Sequence, residues 1–167
     1  IGGLSKKPSK KGKTGTKTRW RPDLEVFTDI RIDKEYFTDV LKKQSIVNPG
    51  ICFVLRYQDD DGAFEELEYL YENGILDYVR ELVGEEYITE PRLWSCDRKG
   101  RDREDMNEYK VKYNFAFAFS KSVKCQEYFH NSSFLEYGGS TERAVRQAFS
   151  SYLDSYMKQN GKYLKNE

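Results

Sequence analysis

Apolar residues recur at intervals of three and four in several stretches of the chain, and this spacing predicts helices. The first helix is predicted to begin after Asp33, a good N-cap, and to end near Asn48-Pro49-Gly50. Its apolar face consists of Tyr36, Phe37, Val40 and Leu41. A short helix is predicted after Asn73-Gly74, and a long one over residues 141–159. Ser140 is the predicted cap of the long helix, and Asn160-Gly161 its end.

Alternation of apolar and polar residues predicts strands elsewhere. The clearest covers residues 109–120, and a partner strand is predicted over residues 123–131. Residues 51–57 and a segment around Leu67 and Tyr69 are predicted to form a hairpin that turns at residues 59–62. Residues 17–20 are predicted to form a further strand, and the charged residues 97–105 are predicted to form a loop. The long helix is expected to cover the apolar face of the 109–120 strand, which carries Val111, Tyr113, Phe115, Phe117 and Phe119.

These elements predict an α+β fold of two sub-modules that meet near residues 83–90. The chain has 167 residues, 34% of them charged, and a mean hydropathy of −0.84. No run approaches the roughly 20 apolar residues of a membrane span. Cys52, Cys96 and Cys125 form no pairing pattern, which is typical of a reducing compartment. Secreted, membrane-spanning and disulfide-stabilised classes are therefore excluded, and a cytoplasmic location is expected.

The formal net charge of +0 conceals an uneven distribution. Residues 1–22 carry eight basic residues and no acidic one, and the remainder carries 20 basic and 28 acidic residues. The lysines nearest the start of this arm are Lys6, Lys7, Lys10 and Lys11. Such an arm can bind nucleic acid through its phosphates, or it can be a solvated loop whose lysines maintain solubility.

Local chemistry gives no complete active site. Gly12-Lys13-Thr14 has the ending of a P-loop, but Lys7 occupies the position where that loop needs its first glycine. His130 is the one histidine, and the cysteines lack the spacing of a zinc site. We therefore predict neither a catalytic residue nor a metal ligand.

A set of motifs in a fixed order gives the chain a specific resemblance. The motifs are Lys13-Thr14-Gly15-Thr16, Arg19-Trp20-Arg21-Pro22-Asp23, Val47-Asn48-Pro49-Gly50-Ile51, Glu72-Asn73-Gly74-Ile75, His130-Asn131-Ser132 and Gly138-Gly139-Ser140. In this order the chain resembles the B subunits of bacterial type IIA DNA topoisomerases, the family of DNA gyrase and topoisomerase IV. The resemblance covers nearly the whole chain.

The resemblance implies a piece of a longer protein that joins two modules. Residues 1–85 would be the C-terminal part of a GHKL-type ATPase domain, and residues 86–167 the start of a transducer domain with a ribosomal protein S5 domain 2-like fold. Thr16, and Gly15 beside it, would lie at the adenine pocket. ATP and Mg would be the cofactors of the parent enzyme. Its partners would be DNA, the topoisomerase A subunit and a second B subunit, with the complex associated with the nucleoid.

The departures from the family concern catalysis. No residue matches the family's catalytic Glu, its Mg-binding Asn, its adenine-reading Asp or its γ-phosphate Lys. Phosphoryl transfer requires the metal, the phosphate clamp and the base together, so this chain alone is expected neither to hydrolyse nor to bind ATP. Ser140-Thr141 follows the two glycines where the family has Thr-His, and Ser151 stands where gyrases often have an Arg facing DNA, although Arg143 and Arg146 lie nearby.

Two functions of different classes follow. The first is a part of the topoisomerase B subunit that relays ATP-driven closure of the dimer to DNA strand passage. The alternative is a free-standing nucleic-acid-binding module that uses the basic residues between Lys6 and Arg21.

Overall fold

The computed structural model describes residues 14–30, 33–59 and 61–163, in two compact units, Ile1–Asp33 and Lys34–Glu167. The described part of the first unit has no helix or strand. Its backbone turns at residues 24–26, where the carbonyl oxygen of Asp23 accepts hydrogen bonds from the amides of Val26 and Phe27 at 3.1 and 2.9 Å. The strand predicted over residues 17–20 is wrong, because no described residue of this unit pairs with it and an unpaired segment has no ladder to stabilise it.

The second unit contains three helices and six strands among its described residues. In chain order they are α1 (Lys34–Val47), β1 (Phe53–Gln58), β2 (Phe64–Tyr69), α2 (Ile75–Val83), β3 (Arg92–Gly100), β4 (Tyr109–Phe117), β5 (Phe129–His130), β6 (Ser133–Phe134) and α3 (Gly139–Gln159). The strands form three antiparallel pairs, β1–β2, β3–β4 and β5–β6. The predicted α+β class is therefore confirmed.

The elements predicted for residues 34–83 are confirmed. Helix α1 begins directly after Asp33 and ends before Asn48-Pro49-Gly50. The β1–β2 hairpin pairs Phe53 with Tyr69 and Gln58 with Phe64, and its turn is closed by the Asp59 amide donating to the carbonyl oxygen of Ala63 at 3.0 Å. Helix α2 starts after Gly74, whose positive φ of 57° makes the sharp turn that glycine tolerates best.

The apolar face predicted for α1 is only partly correct. Tyr36 is 64% exposed and Val40 is also exposed, whereas the buried residues of the helix are Ser45 and Ile46 in its last turn. The Ile46 carbonyl oxygen lies so close to Gly74 that a Cβ there would come within 2.9 Å of it. The helix is therefore buried at its C-terminal end, where the chain enters β1 and α2 begins.

Strand β4 is confirmed, but its predicted partner is wrong. Residues 123–128 are irregular, and β4 pairs instead with β3, in a register that sets Arg92 opposite Phe117 and Gly100 opposite Tyr109. Strand β3 includes residues 97–100 of the segment predicted to be a loop, so the loop is confined to residues 101–108. The pairing persists through charged residues because most β3 side chains face solvent and need no apolar alternation.

Helix α3 is confirmed, but it covers only part of the predicted face: Tyr113 and Phe119 stay exposed, and Phe149 makes the ring contacts. The Phe149 ring lies 5.9, 6.2 and 6.3 Å from the rings of Phe115, Phe117 and Phe119. The predicted cap is wrong, because the helix starts at Gly139 and places Ser140 inside its first turn; the N-cap is Gly138. No residue of α3 is buried, so its apolar stripe is only half covered.

Candidate functional site

The residues predicted to lie at the adenine pocket are in exposed, irregular backbone. Gly15 and Thr16 lie in the first unit, both exposed and in irregular backbone. Nothing described stands within 4 Å of where a Gly15 Cβ would be. Lys6, Lys7, Lys10 and Lys11 fall outside the described residues. The adenine contact and the phosphate contacts therefore stay predictions.

The described residues hold no group of three His, Cys, Asp or Glu side chains that could bind a metal ion. Cys52, Cys96 and Cys125 are free thiols. Within the described ranges no helix is long and apolar enough to cross a membrane. The shallow cavities formed by the described residues include one of about 340 Å³ beside Lys42, Tyr71 and Glu81 and one of about 250 Å³ between β6 and the start of α3.

The larger cavity adjoins a hydrogen-bonded triad between α1, α2 and the segment that follows β2. Tyr71, 8% exposed, donates its hydroxyl to Glu81 Oε2 at 2.5 Å, and Lys42 Nζ donates to Glu81 Oε1 at 2.7 Å. Burial, and then the bond to Glu81, raises the pKa of Tyr71. Burial opposes ionisation of Glu81, but the bonds from Lys42 and Tyr71 outweigh it and lower the pKa of that carboxyl. The triad holds α1, α2 and Tyr71 together.

A second contact joins α2 to the irregular segment before β5. The Tyr78 hydroxyl donates to Glu127 Oε1 at 3.2 Å. Burial is the main reason that the pKa of Tyr78 is raised, followed by the charge of Glu127. The other carboxylate oxygen, Glu127 Oε2, is shielded from solvent and accepts no hydrogen bond from any described residue.

The β5–β6 turn lies against α1. Its two central residues, Asn131 and Ser132, both have left-handed backbones, with φ of 47° and 66°. The Ser132 carbonyl oxygen accepts a hydrogen bond from Gln44 Nε2 at 2.9 Å, and Lys43 Nζ sits 4.1 Å from the centre of the Phe134 ring. Residues that follow β4 thus return to contact helices that precede β3.

The same turn leads directly into α3. The Leu135 amide donates to the Tyr128 carbonyl oxygen at 2.8 Å, and the Gly138 amide donates to the Leu135 carbonyl oxygen at 3.0 Å. Gly138 is buried under Glu142, and a Cβ on Gly138 would come within 2.8 Å of the Glu142 Cβ. The link between β6 and α3 is therefore short, and within it Gly138 is the residue that packs closely.

The segment between α2 and β3 is also held by hydrogen bonds. Its Ile88 amide donates to the Phe119 carbonyl oxygen at 2.6 Å, and the Ser120 hydroxyl donates to the Glu86 carbonyl oxygen at 2.7 Å. Ser122 donates its hydroxyl to Glu86 Oε2 at 2.6 Å. The region predicted as the seam between two sub-modules is therefore fastened to the chain that leaves β4.

Sequence reasoning missed Gln44 and Glu127 as contact residues, because each is an ordinary polar residue in no motif. One signal was available. Asn131 followed by Ser132, between residues able to pair, fits a two-residue hairpin turn with two left-handed positions. That pattern predicts the turn, but not the helices on which it packs.

Comparison with known proteins gives the family. A sequence model of DNA gyrase B matches residues 74–167. The B subunit of DNA topoisomerase 4 from Streptococcus pneumoniae serotype 4 is 26% identical over 156 residues, which is 90% of this chain and 22% of that protein. The B subunit of DNA gyrase from Staphylococcus aureus is 30% identical over 148 residues, 86% of this chain and 21% of that protein. The chain spans about a fifth of the length of these relatives. Since the family's model covers more than half of the sequence, the chain belongs to the DNA gyrase B family of type IIA topoisomerase B subunits.

Proposed function

We propose that this chain is the part of an ATP-dependent bacterial type IIA DNA topoisomerase B subunit that relays closure of the subunit dimer to DNA strand passage. Family membership supports the parent enzyme. The observation that carries the relay is an unbroken series of contacts inside one compact unit, Lys34–Glu167. It runs from α2 through the fastened segment at Glu86 and Ile88 to the end of β4, and from the β4 rings to Phe149 of α3. Such a chain of packed and hydrogen-bonded residues is compatible with a mechanical relay.

The proposal includes the division at residues 85 and 86, with the ATPase part before it and the transducer part after it. ATP and Mg would be bound by the parent enzyme, with Thr16 and Gly15 near the adenine. DNA, the A subunit and a second B subunit would be its partners, in the bacterial cytoplasm at the nucleoid. This chain alone would transmit movement and carry out no chemistry.

A chimera tests the relay. Residues 1–167 replace the matching segment of Staphylococcus aureus gyrase B, and the chimera is combined with that organism's gyrase A. ATP hydrolysis and DNA supercoiling are measured on the same preparation. We expect Phe149→Ala to reduce supercoiling at least fivefold more than hydrolysis, because it removes the contact between β4 and α3. Leu153→Ala, on the same helix but 51% exposed, is the matched control and is expected to change neither. Equal loss of both activities in Phe149→Ala would contradict the relay.

Two binding measurements on the isolated chain separate the proposal from its rival. Calorimetry with a non-hydrolysable ATP analogue is expected to give no heat of binding. DNA binding is expected to be weak, with little dependence on salt. Micromolar DNA affinity that falls steeply with salt, and that disappears when Lys6, Lys7, Lys10 and Lys11 are neutralised, would favour the nucleic-acid-binding module instead.

A further inference from the structure

We propose that the β5–β6 turn is a latch that fastens the start of α3 to helices α1 and α2, so that a displacement of these two helices is delivered to α3 through residues 135–138. The latch consists of three contacts, Gln44 with Ser132, Tyr78 with Glu127, and Lys43 with Phe134. Its functional meaning rests on the proposed relay, but the latch is a property of this chain and is testable on it alone.

The contacts come from two different helices and hold one short segment, residues 127–134. Gln44 and Lys43 are neighbours on α1 and hold the turn and β6. Tyr78 is on α2 and holds the segment before β5. The two helices are themselves tied by the bond of Lys42 to Glu81. A displacement of one helix therefore acts on the other helix and on the β5–β6 segment that both helices contact.

The route from the turn to α3 is only a few residues long. Residues 135–138 separate β6 from α3, and two backbone hydrogen bonds, made by the amides of Leu135 and Gly138, brace them. At the far end, Glu142 packs on Gly138 and receives a hydrogen bond from Arg146 Nε at 2.8 Å. The first turn of α3 therefore follows directly from the segment that the latch holds.

The latch is held by few contacts, and some of its residues have unfavourable features. Ser132 holds a left-handed backbone that glycine would adopt without strain, and Asn131 beside it does the same. Glu127 Oε2 is shielded without a donor among the described residues. Opening the latch would lose only three partly exposed contacts, which suits an element that opens and closes.

Hydrogen exchange on the 167-residue chain tests the latch. Tyr78→Phe and Gln44→Met each remove one donor while keeping the size of the side chain. We expect exchange at the Leu135 amide, and at the amides of residues 143–146 in the second turn of α3, to become about fivefold faster in each variant, the effect of losing one ordinary hydrogen bond. Amides of β3 and β4 are expected to be unchanged. Tyr152→Phe, which removes the same hydroxyl from an exposed position on α3, is the matched control and is expected to change no rate.

Every other outcome overturns the latch. Faster exchange at Leu135 alone would mean that the contacts steady the hairpin and do not reach α3. Unchanged rates would mean that the contacts carry no free energy, and faster exchange throughout the chain would mean that they belong to the general fold. Because the measurement needs neither nucleotide nor DNA, its result is independent of whether the chimera couples hydrolysis to supercoiling.

Discussion

Residues 34–83 and residues 92–163 differ in how they bury apolar surface. The first region holds the three buried large apolar side chains of the described chain, Ile46, Tyr71 and Val83. The second has a longer helix and more aromatic residues, yet no residue of α3 is buried. Its order depends on aromatic rings at 5.2–6.3 Å from one another, contributed by Phe115, Phe117, Phe119 and Phe149.

This difference shows that apolar periodicity predicts where an element lies, but not how deeply it is buried. Both α1 and α3 carry the spacing of a packed helix. In α1 the burial is concentrated in the last turn, whereas in α3 Tyr152 is 70% exposed and Leu153 is also exposed. The first region therefore has a small core of its own, and the second has one layer packed on one face.

Truncation of Ile46 should cause the largest loss of stability. This side chain is 1% exposed, and Ile46→Ala leaves a cavity that costs about 4 kcal/mol of the free energy of unfolding. Leu153→Ala, at an exposed position in the second region, is expected to cost less than about 1 kcal/mol. Urea denaturation followed by far-UV circular dichroism measures both. Similar losses at the two sites would show that the regions do not differ in burial.

Gly74→Ala should cause the next largest loss, about 3 kcal/mol of the free energy of unfolding. The added Cβ would meet the Ile46 carbonyl oxygen at 2.9 Å, and the backbone there is left-handed, with φ of 57°. Gly50→Ala is the matched control, since its φ is 77° but nothing described lies within 4 Å of the added Cβ. It should show the conformational cost alone, about 1 kcal/mol. Equal losses in urea denaturation would mean that the chain relaxes around Gly74.

Phe149→Leu should cost about 1.5 kcal/mol, because it exchanges three aromatic contacts for aliphatic ones at a half-buried site. Thermal unfolding, followed by far-UV circular dichroism, measures the loss. Tyr152→Leu on the same helix serves as the control and should be close to neutral. A loss as large as that of Ile46→Ala would mean that the second region has a core equal to the first.

Alkaline pH should also destabilise the first region, and this loss of stability should be the smallest of those described. The pKa of Tyr71 is raised above its usual value of 10.0, so the unfolded chain loses this proton first as the pH rises. The stability that the neutral phenol contributes is complete below pH 10 and is lost as the pH rises toward the folded pKa. Tyr71→Phe should make the decline of the urea midpoint above pH 10 shallower. An unchanged slope would show that the bond to Glu81 is not linked to folding.

The sequence predicted residues 34–83 and α3 well because their signals are local. Asn48-Pro49-Gly50, Asn73-Gly74 and Asn160-Gly161 mark the element ends, and the spacing between them matches the elements found. Strand β3 was missed for the opposite reason. Arg92, Trp94 and Arg98 lie on the face shared with Phe115 and Phe117, and all three are exposed. Because this face needs no row of apolar residues, the sequence of β3 shows no apolar alternation. Its partner β4 follows after only residues 101–108, but charged residues at the end of β3 and in that loop hide the hairpin.

The contacts of the latch lay beyond prediction for a related reason. Gln44 and Ser132 are 88 positions apart, and Tyr78 and Glu127 are 49 apart. Each pair consists of residues that occur on any protein surface. The nucleotide contacts predicted at Gly15 and Thr16 came from resemblance alone, and the described structure places both residues in exposed coil.

The positions of the two indole side chains decide which events intrinsic fluorescence detects. Trp20 lies in the first unit and Trp94 in β3, both more than half exposed, and residues 34–83 contain no tryptophan. Emission spectra will therefore report on the first unit and on the ribbon formed by β3 and β4, and will not detect changes in residues 34–83 directly. If the two regions melt independently, fluorescence and far-UV circular dichroism will give different midpoints; a single shared midpoint will mean that they melt together.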